Sequence, residues 1–166
     1  LSLHDALPIW YPLYEKLVEL DVPAMIHSAG CRAERHNYTI NFIIEESIAI
    51  LSLLSSKVFE DFPTLKLIIC HGGGGIPYQI GRFRAARGKG GRAKETFEES
   101  FRKLYFDTAL YTEDALEMLF RWATPARCMF GTERPGAGTL TVGPGDRIGG
   151  WRVDKIDPHG VTARKD

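Results

Sequence analysis

The sequence predicts an α/β domain built on a parallel sheet, about four βα units that amount to the carboxyl-terminal half of a (β/α)8 barrel. Three observations carry this. Helical and strand patterns alternate along the chain, and four short apolar runs each end on an ionisable residue. No glycine-rich nucleotide loop follows the first strand, as a doubly wound open sheet would show. Successive strand ends lie on the order of 26 to 44 residues apart, near the roughly 30 per unit expected when about 250 residues build eight units.

The elements follow in order. Trp10, Leu13, Tyr14, Leu17, Val18 and Leu20 recur at helical spacing, and Asp21-Val22-Pro23 ends that helix. Ala24-Met25-Ile26 is a strand that delivers His27. A polar loop from Ser28 to Asn37 leads into an apolar helix from Tyr38 to Leu54, and Phe62-Pro63 breaks the chain. Lys66 to Cys70 reads as a fully buried strand running into His71 and four glycines, Gly72 to Gly75. Beyond it come a helix near Ile76 to Ala86, a basic linker from Arg87 to Lys94 and a short helix from Phe97 to Arg102. Leu104-Tyr105-Phe106 is the third strand, ending at Asp107. A helix from Glu113 to Trp122 precedes the fourth strand, Arg127 to Phe130, which runs into Gly131-Thr132-Glu133. Residues 1–9 match nothing that follows and resemble adapter read-through, so they are set aside together with His4. Residues 10–138 form the barrel portion. Residues 139–166, rich in Gly, Arg and Asp, read as an irregular tail of doubtful frame.

Composition excludes several function classes. The 166 residues carry zero formal net charge, so neither nucleic acid nor an acidic surface is a predicted bulk partner. Arg82, Arg84, Arg87, Lys89, Arg92 and Lys94 form a solvated basic face without a nucleic-acid motif. The longest apolar stretch, Thr39 to Leu54, is broken by Asn41, Glu45, Glu46 and Ser47 and is too short to span a membrane. Cys31, Cys70 and Cys128 form no CxxC pair, which places the chain in a reducing, cytoplasmic setting. Gly88-Lys89 lacks the spacing of a phosphate loop. The His71 glycine run could be mistaken for an oxyanion-hole motif, but no Gly-x-Ser-x-Gly elbow accompanies it. No base can be read for Cys31 as a nucleophile.

His27, His71, Asp107 and Glu133 end the four strands, and the carboxyl ends of parallel barrel strands converge on one mouth. Two imidazoles and a carboxylate suit zinc or a similar divalent ion, which lowers the pKa of bound water toward ~7. Each residue also has a bland reading: a strand-end histidine can be purely structural, and Asp107 before Thr108 can cap a turn. Their recurrence at every strand end is what favours chemistry.

Four segments carry a family resemblance: Pro23 to His27, the His71 glycine run with Pro77-Tyr78 and Gly81-Arg82, Tyr105 to Thr108, and Phe130 to Glu133. Together they resemble the amidohydrolase superfamily in its aminocarboxymuconate-semialdehyde decarboxylase branch, with most likeness to the 4-oxalomesaconate hydratases. The resemblance implies a distorted (β/α)8 barrel with a single divalent metal, for which the ligand types above favour zinc. It implies His27 as the fifth-strand metal ligand and His71 as the sixth-strand residue that orients or protonates. Glu133 stands where the decarboxylases carry an aspartate ligand, a departure that favours the hydratases, and it would bind metal or act as base. Arg82 matches an arginine that grips a substrate carboxylate across a homodimer interface; apart from the resemblance, a polycarboxylate needs further cations, and Arg134 beside Glu133 is a weaker candidate.

The family's first-strand His-x-His pair is absent from this sequence. The expectation is therefore a fragment that binds metal poorly and is inactive alone. Its parent enzyme would add water to the double bond of a small unsaturated oxo-tricarboxylate, with Glu133 handling the water proton and His71 protonating or stabilising the enolate. Decarboxylation on the same residues is the alternative reaction, and a non-catalytic half-barrel is the alternative of another class.

Overall fold

The computed structural model describes residues 7–28, 37–89, 95–129, 145, 147–148, 151–157 and 160–165. Strands β1 (Ala24–Ile26), β2 (Leu67–Ile69), β3 (Tyr105–Asp107) and β4 (Cys128–Met129) form one parallel sheet in the order β1-β2-β3-β4. Ala24 pairs with Leu67, Ile68 with Tyr105 and Phe106 with Cys128. Each strand is laid beside its predecessor, as in a barrel wall; a doubly wound sheet reverses direction at a switch point. The expectation of α/β architecture with four parallel strands holds.

The helices are α1 (Tyr11–Glu19), α2 (Tyr38–Ser55), α3 (Val58–Asp61), α4 (Ile80–Lys89), α5 (Phe97–Phe101) and α6 (Glu113–Ala123). Their starts are capped where the sequence offers an acceptor. The Asn37 side chain accepts from Ile40 N at 3.0 Å, and Thr112 caps α6 by accepting from Ala115 N. Thr96 and Glu99 form a reciprocal capping box on α5. On α6 the buried residues Leu116, Leu119, Phe120 and Ala123 sit at i, i+3, i+4 and i+7, one stripe facing the sheet. Behind the sheet the Phe101 and Phe106 rings stack at 4.5 Å, joined by Ile50, Val58, Ile69, Leu104 and Leu119 in a solvent-free core. All of β2 is buried, as a strand with neighbours on both sides and helices over its face must be. In β1, by contrast, Met25 is 56% exposed although it pairs with buried Ile68.

Two expectations are corrected. Helix α4 runs on to Lys89, so the first part of the expected linker is helical; residues 90–94 lie outside the described set. The tail read as irregular contains an antiparallel sheet of β5 (Arg147–Ile148), β6 (Trp151–Asp157) and β7 (Gly160–Lys165). Its physical cause is alternation: Trp151-Arg152-Val153-Asp154 and Val161-Thr162-Ala163-Arg164 have the period of two that suits a strand, with a register shift between Val153 and Lys155. Among the described residues no helix is long and apolar enough to cross a membrane.

Candidate active site

The carboxyl ends of β1 and β2 bring two imidazoles together. His27 follows β1 and His71 follows β2, and their ring centroids are 5.2 Å apart with the planes tilted by 67°. The Phe42 ring of α2 packs against both, at 5.3 Å from His27 and 5.1 Å from His71. His27 Nδ1 lies 2.9 Å from the Ser28 carbonyl oxygen. A carbonyl can only accept, so Nδ1 is the donor, and in the neutral ring this leaves on Nε2 the lone pair a metal ligand requires.

His71 enters the glycine turn with φ of +49°, a left-handed conformation that a side chain disfavours. Two carboxylates brace it. Glu46 Oε1, from the middle of α2, lies 2.6 Å from His71 Nδ1. Asp107 Oδ1, at the end of β3, accepts from Gly72 N at 3.1 Å and from Ala109 N at 3.2 Å. Ser47 ties the same helix to the same turn, since its hydroxyl donates to Ile43 O and accepts from Gly75 N at 3.0 Å. The turn and helix approach so closely that a Cβ on Gly74 would stand 2.7 Å from the Ile43 carbonyl oxygen.

Glu46 is buried, and its Oε2 makes no hydrogen bond among the described residues. Burial pushes its carboxyl above the ordinary value; the hydrogen bond and charge of His71 pull it down, and the charge of Asp107 adds to the rise. In the sequence Glu46 stands out only as an interruption of an apolar stretch. A signal was available: Glu46, Ile50, Leu53 and Leu54 recur at helical spacing on the buried face, so a carboxylate was being carried into the core.

Of the sequence-predicted residues, the structure joins His27 to His71 and places Asp107 against the His71 turn. Asp107 Oδ1 is engaged with backbone amides, the turn-capping role its neighbourhood with Thr108 allowed. Arg82 lies exposed on α4. Glu133, Arg134 and Cys31 lie outside the described residues. Among the described residues no three His, Cys, Asp or Glu side chains gather as a metal cage. The donor chemistry nonetheless fits a divalent ion at His27, whose Nδ1 is committed to a carbonyl. Cys70 and Cys128 are buried thiols outside any disulfide, and burial together with Asp107 pushes Cys128 up to about 12, leaving it unreactive. A cavity of about 280 Å³ adjoins the turn, lined by Gly72, Gly74, Tyr78, Leu110, Asp114 and Met118 among others.

Comparison with known proteins places this geometry. The 2-keto-4-carboxy-3-hexenedioate hydratase of Sphingobium sp. (strain NBRC 103272 / SYK-6) is 40% identical over 131 residues, covering 77% of this chain and 38% of the hydratase. The crystal structure of 4-oxalomesaconate hydratase from Rhodopseudomonas palustris matches with a TM-score of 0.64 at 32% identity, over 90% of this chain and 38% of that one. The dihydroxybenzoic acid decarboxylase of Polaromonas sp. JS666, solved with bound manganese and 2-nitroresorcinol, shares the fold at a TM-score of 0.62 and 24% identity, over 76% and 43% of the two chains. The chain thus spans less than half the length of these relatives, and the solved neighbours are (β/α)8 barrels. The relatives are lyases, hydratase and decarboxylases alike. The amidohydrolase family profile matches residues 3–148, nearly the whole length, and the chain belongs to the amidohydrolase family.

Proposed function

We propose that the polypeptide carrying this chain is a metal-dependent hydratase that adds water across the carbon–carbon double bond of an unsaturated oxo-tricarboxylate of the 4-oxalomesaconate type. The observation that carries the reading is the His27–His71 pair at the ends of adjacent parallel strands, with His27 Nδ1 committed to a backbone carbonyl. The 40% identity to a hydratase supports the reaction class.

His27 and Glu133 would hold the divalent ion, zinc by the chemistry of an imidazole and carboxylate ligand set. When bound, the ion supplies Lewis acidity and lowers the pKa of water to near neutrality. Glu133 takes the proton of the attacking water. His71 returns a proton to the substrate carbon or steadies the enolate as it forms. Arg82 and Arg134 offer guanidinium forks to the substrate carboxylates, Arg82 across a homodimer interface. Further ligands and the rest of the pocket belong to barrel units outside this chain, so the chain alone binds metal poorly and does not turn over. Replacement Glu133→Gln in the full-length polypeptide removes most turnover, at least a hundredfold by the usual scale of general-base catalysis, about 10²–10⁴. Circular dichroism should stay unchanged; retained turnover would remove Glu133 from the mechanism.

A decarboxylase is the second reading, favoured by the decarboxylases among the relatives. It would use the same His71 to protonate the carbon that loses CO2. Release of CO2, measured beside loss of the conjugated double bond, separates the two reactions.

A further inference from the structure

The Glu46 side chain is 0% exposed and that of His71 13%, so their 2.6 Å contact is shielded from competing water. We propose that Glu46 is a positioning residue: its carboxylate accepts from His71 Nδ1–H, fixing the ring's orientation and tautomer so that Nε2 is the acceptor nitrogen.

Three features support it. An ionised carboxylate can only accept, and a neutral imidazole carries its proton on one nitrogen. With the proton on Nε2 instead, two lone pairs would face each other at 2.6 Å in a site with little water to screen them. The position of Glu46 is also costly unless the imidazole offsets it. Oε2 makes no hydrogen bond among the described residues, and an apolar side chain would continue the face of Ile50, Leu53 and Leu54 without that cost. Finally, the His71 backbone sits in the left-handed region, and strained backbone persists where surrounding structure over-determines it. Asp107 holds the amide of Gly72 and Ser47 holds that of Gly75, so the turn is fixed at both ends while Glu46 fixes the ring. The arrangement parallels a triad, in which a buried carboxylate sets which nitrogen of a working histidine does the chemistry. Its catalytic consequence rests on the hydratase reading: Nε2 first takes up a proton from water and then releases that same proton to the substrate carbon, and Glu46 steadies the imidazolium formed in between.

The test needs neither substrate nor metal. Long-range 1H–15N correlation of the 15N-labelled chain, without added metal and at a pH where the ring is neutral, shows which nitrogen of His71 bears the proton. The wild-type chain should show a protonated Nδ1 and an unprotonated Nε2. In Glu46→Leu the order of the two nitrogen shifts should reverse, because a neutral imidazole whose Nδ1 has lost its carboxylate acceptor prefers its proton on Nε2. A wild-type proton on Nε2 overturns the proposal, and so does a Glu46→Leu spectrum with the proton still on Nδ1. Should Glu46→Leu fail to fold, the wild-type spectrum decides alone. Failure of the hydratase reading would appear as absent hydration with this tautomer intact, so the two outcomes stay separate.

Discussion

His71 is held at three points by groups remote in sequence: its ring by Glu46, the next amide by Asp107, and the far end of its turn by Ser47. That bracing requires helix and turn to touch, which makes the glycines structural as well as permissive. Gly74 has φ of +61°, and its Cβ would meet the Ile43 carbonyl, which belongs to a helix and cannot swing aside. Gly74→Ala should therefore lower stability by about 2–3 kcal/mol. At Gly81, inside α4, a Cβ meets nothing within 4 Å. Gly81→Ala should raise stability by about 0.5–1 kcal/mol through reduced backbone entropy. Urea unfolding of the two variants checks this, and shifts of the same sign would contradict the packing described. At this scale the strand-end residues were legible, because an apolar run ending on a histidine declares which end faces the chemistry. Glu46 was not, since it stands 25 residues from its partner and its neighbours are mostly apolar.

At the level of elements, α5 organises charge as well as packing. Arg84 of α4 donates to Glu98 at 2.6 Å and Arg87 pairs with Glu95 at 3.8 Å, so part of the basic stretch is engaged within the chain, while Lys103 donates to the same Glu95 at 2.8 Å. Burial works against ionisation of both glutamates. It is outweighed by hydrogen bonds from Lys103 and Ser100 on Glu95 and from Arg84 on Glu98, which hold both carboxyls below their ordinary value. Such groups bind fewer protons folded than unfolded, so their stabilisation is present above the ordinary carboxylate range and drains away as pH falls toward the lowered values. Glu46 runs oppositely: its contribution is fully present below the ordinary value and is lost as pH rises through its raised one. The double variant Glu95→Gln/Glu98→Gln should therefore lose less stability than the parent chain between about pH 5 and pH 3. An unchanged slope in thermal unfolding against pH would refute that ordering. Five of the six helices described were readable from periodicity to within a few residues; α3, a single turn too short to show a period, was not. The strands near the carboxyl terminus were obscured because their alternation is short and sits among Gly, Asp and Arg, with a register shift between Val153 and Lys155 that breaks the period of two in β6.

For the molecule as a whole, the order β1-β2-β3-β4 was legible because βα alternation leaves few topologies open to a parallel sheet. The site was legible only in part, since its groups come from several strand ends and from a helix face. Met25 on the outer strand of this sheet is more than half exposed, where a barrel would supply a further neighbour. In the proposed enzyme those neighbours complete the metal site, and the reaction belongs to the assembled barrel. The decisive measurement is the mass of the product formed from 4-oxalomesaconate by the full-length polypeptide, with and without divalent metal. Hydration predicts a gain of one water that requires the metal and is lost in His71→Asn. A product lighter by CO2, or substrate recovered unchanged with metal present, would contradict the hydratase assignment.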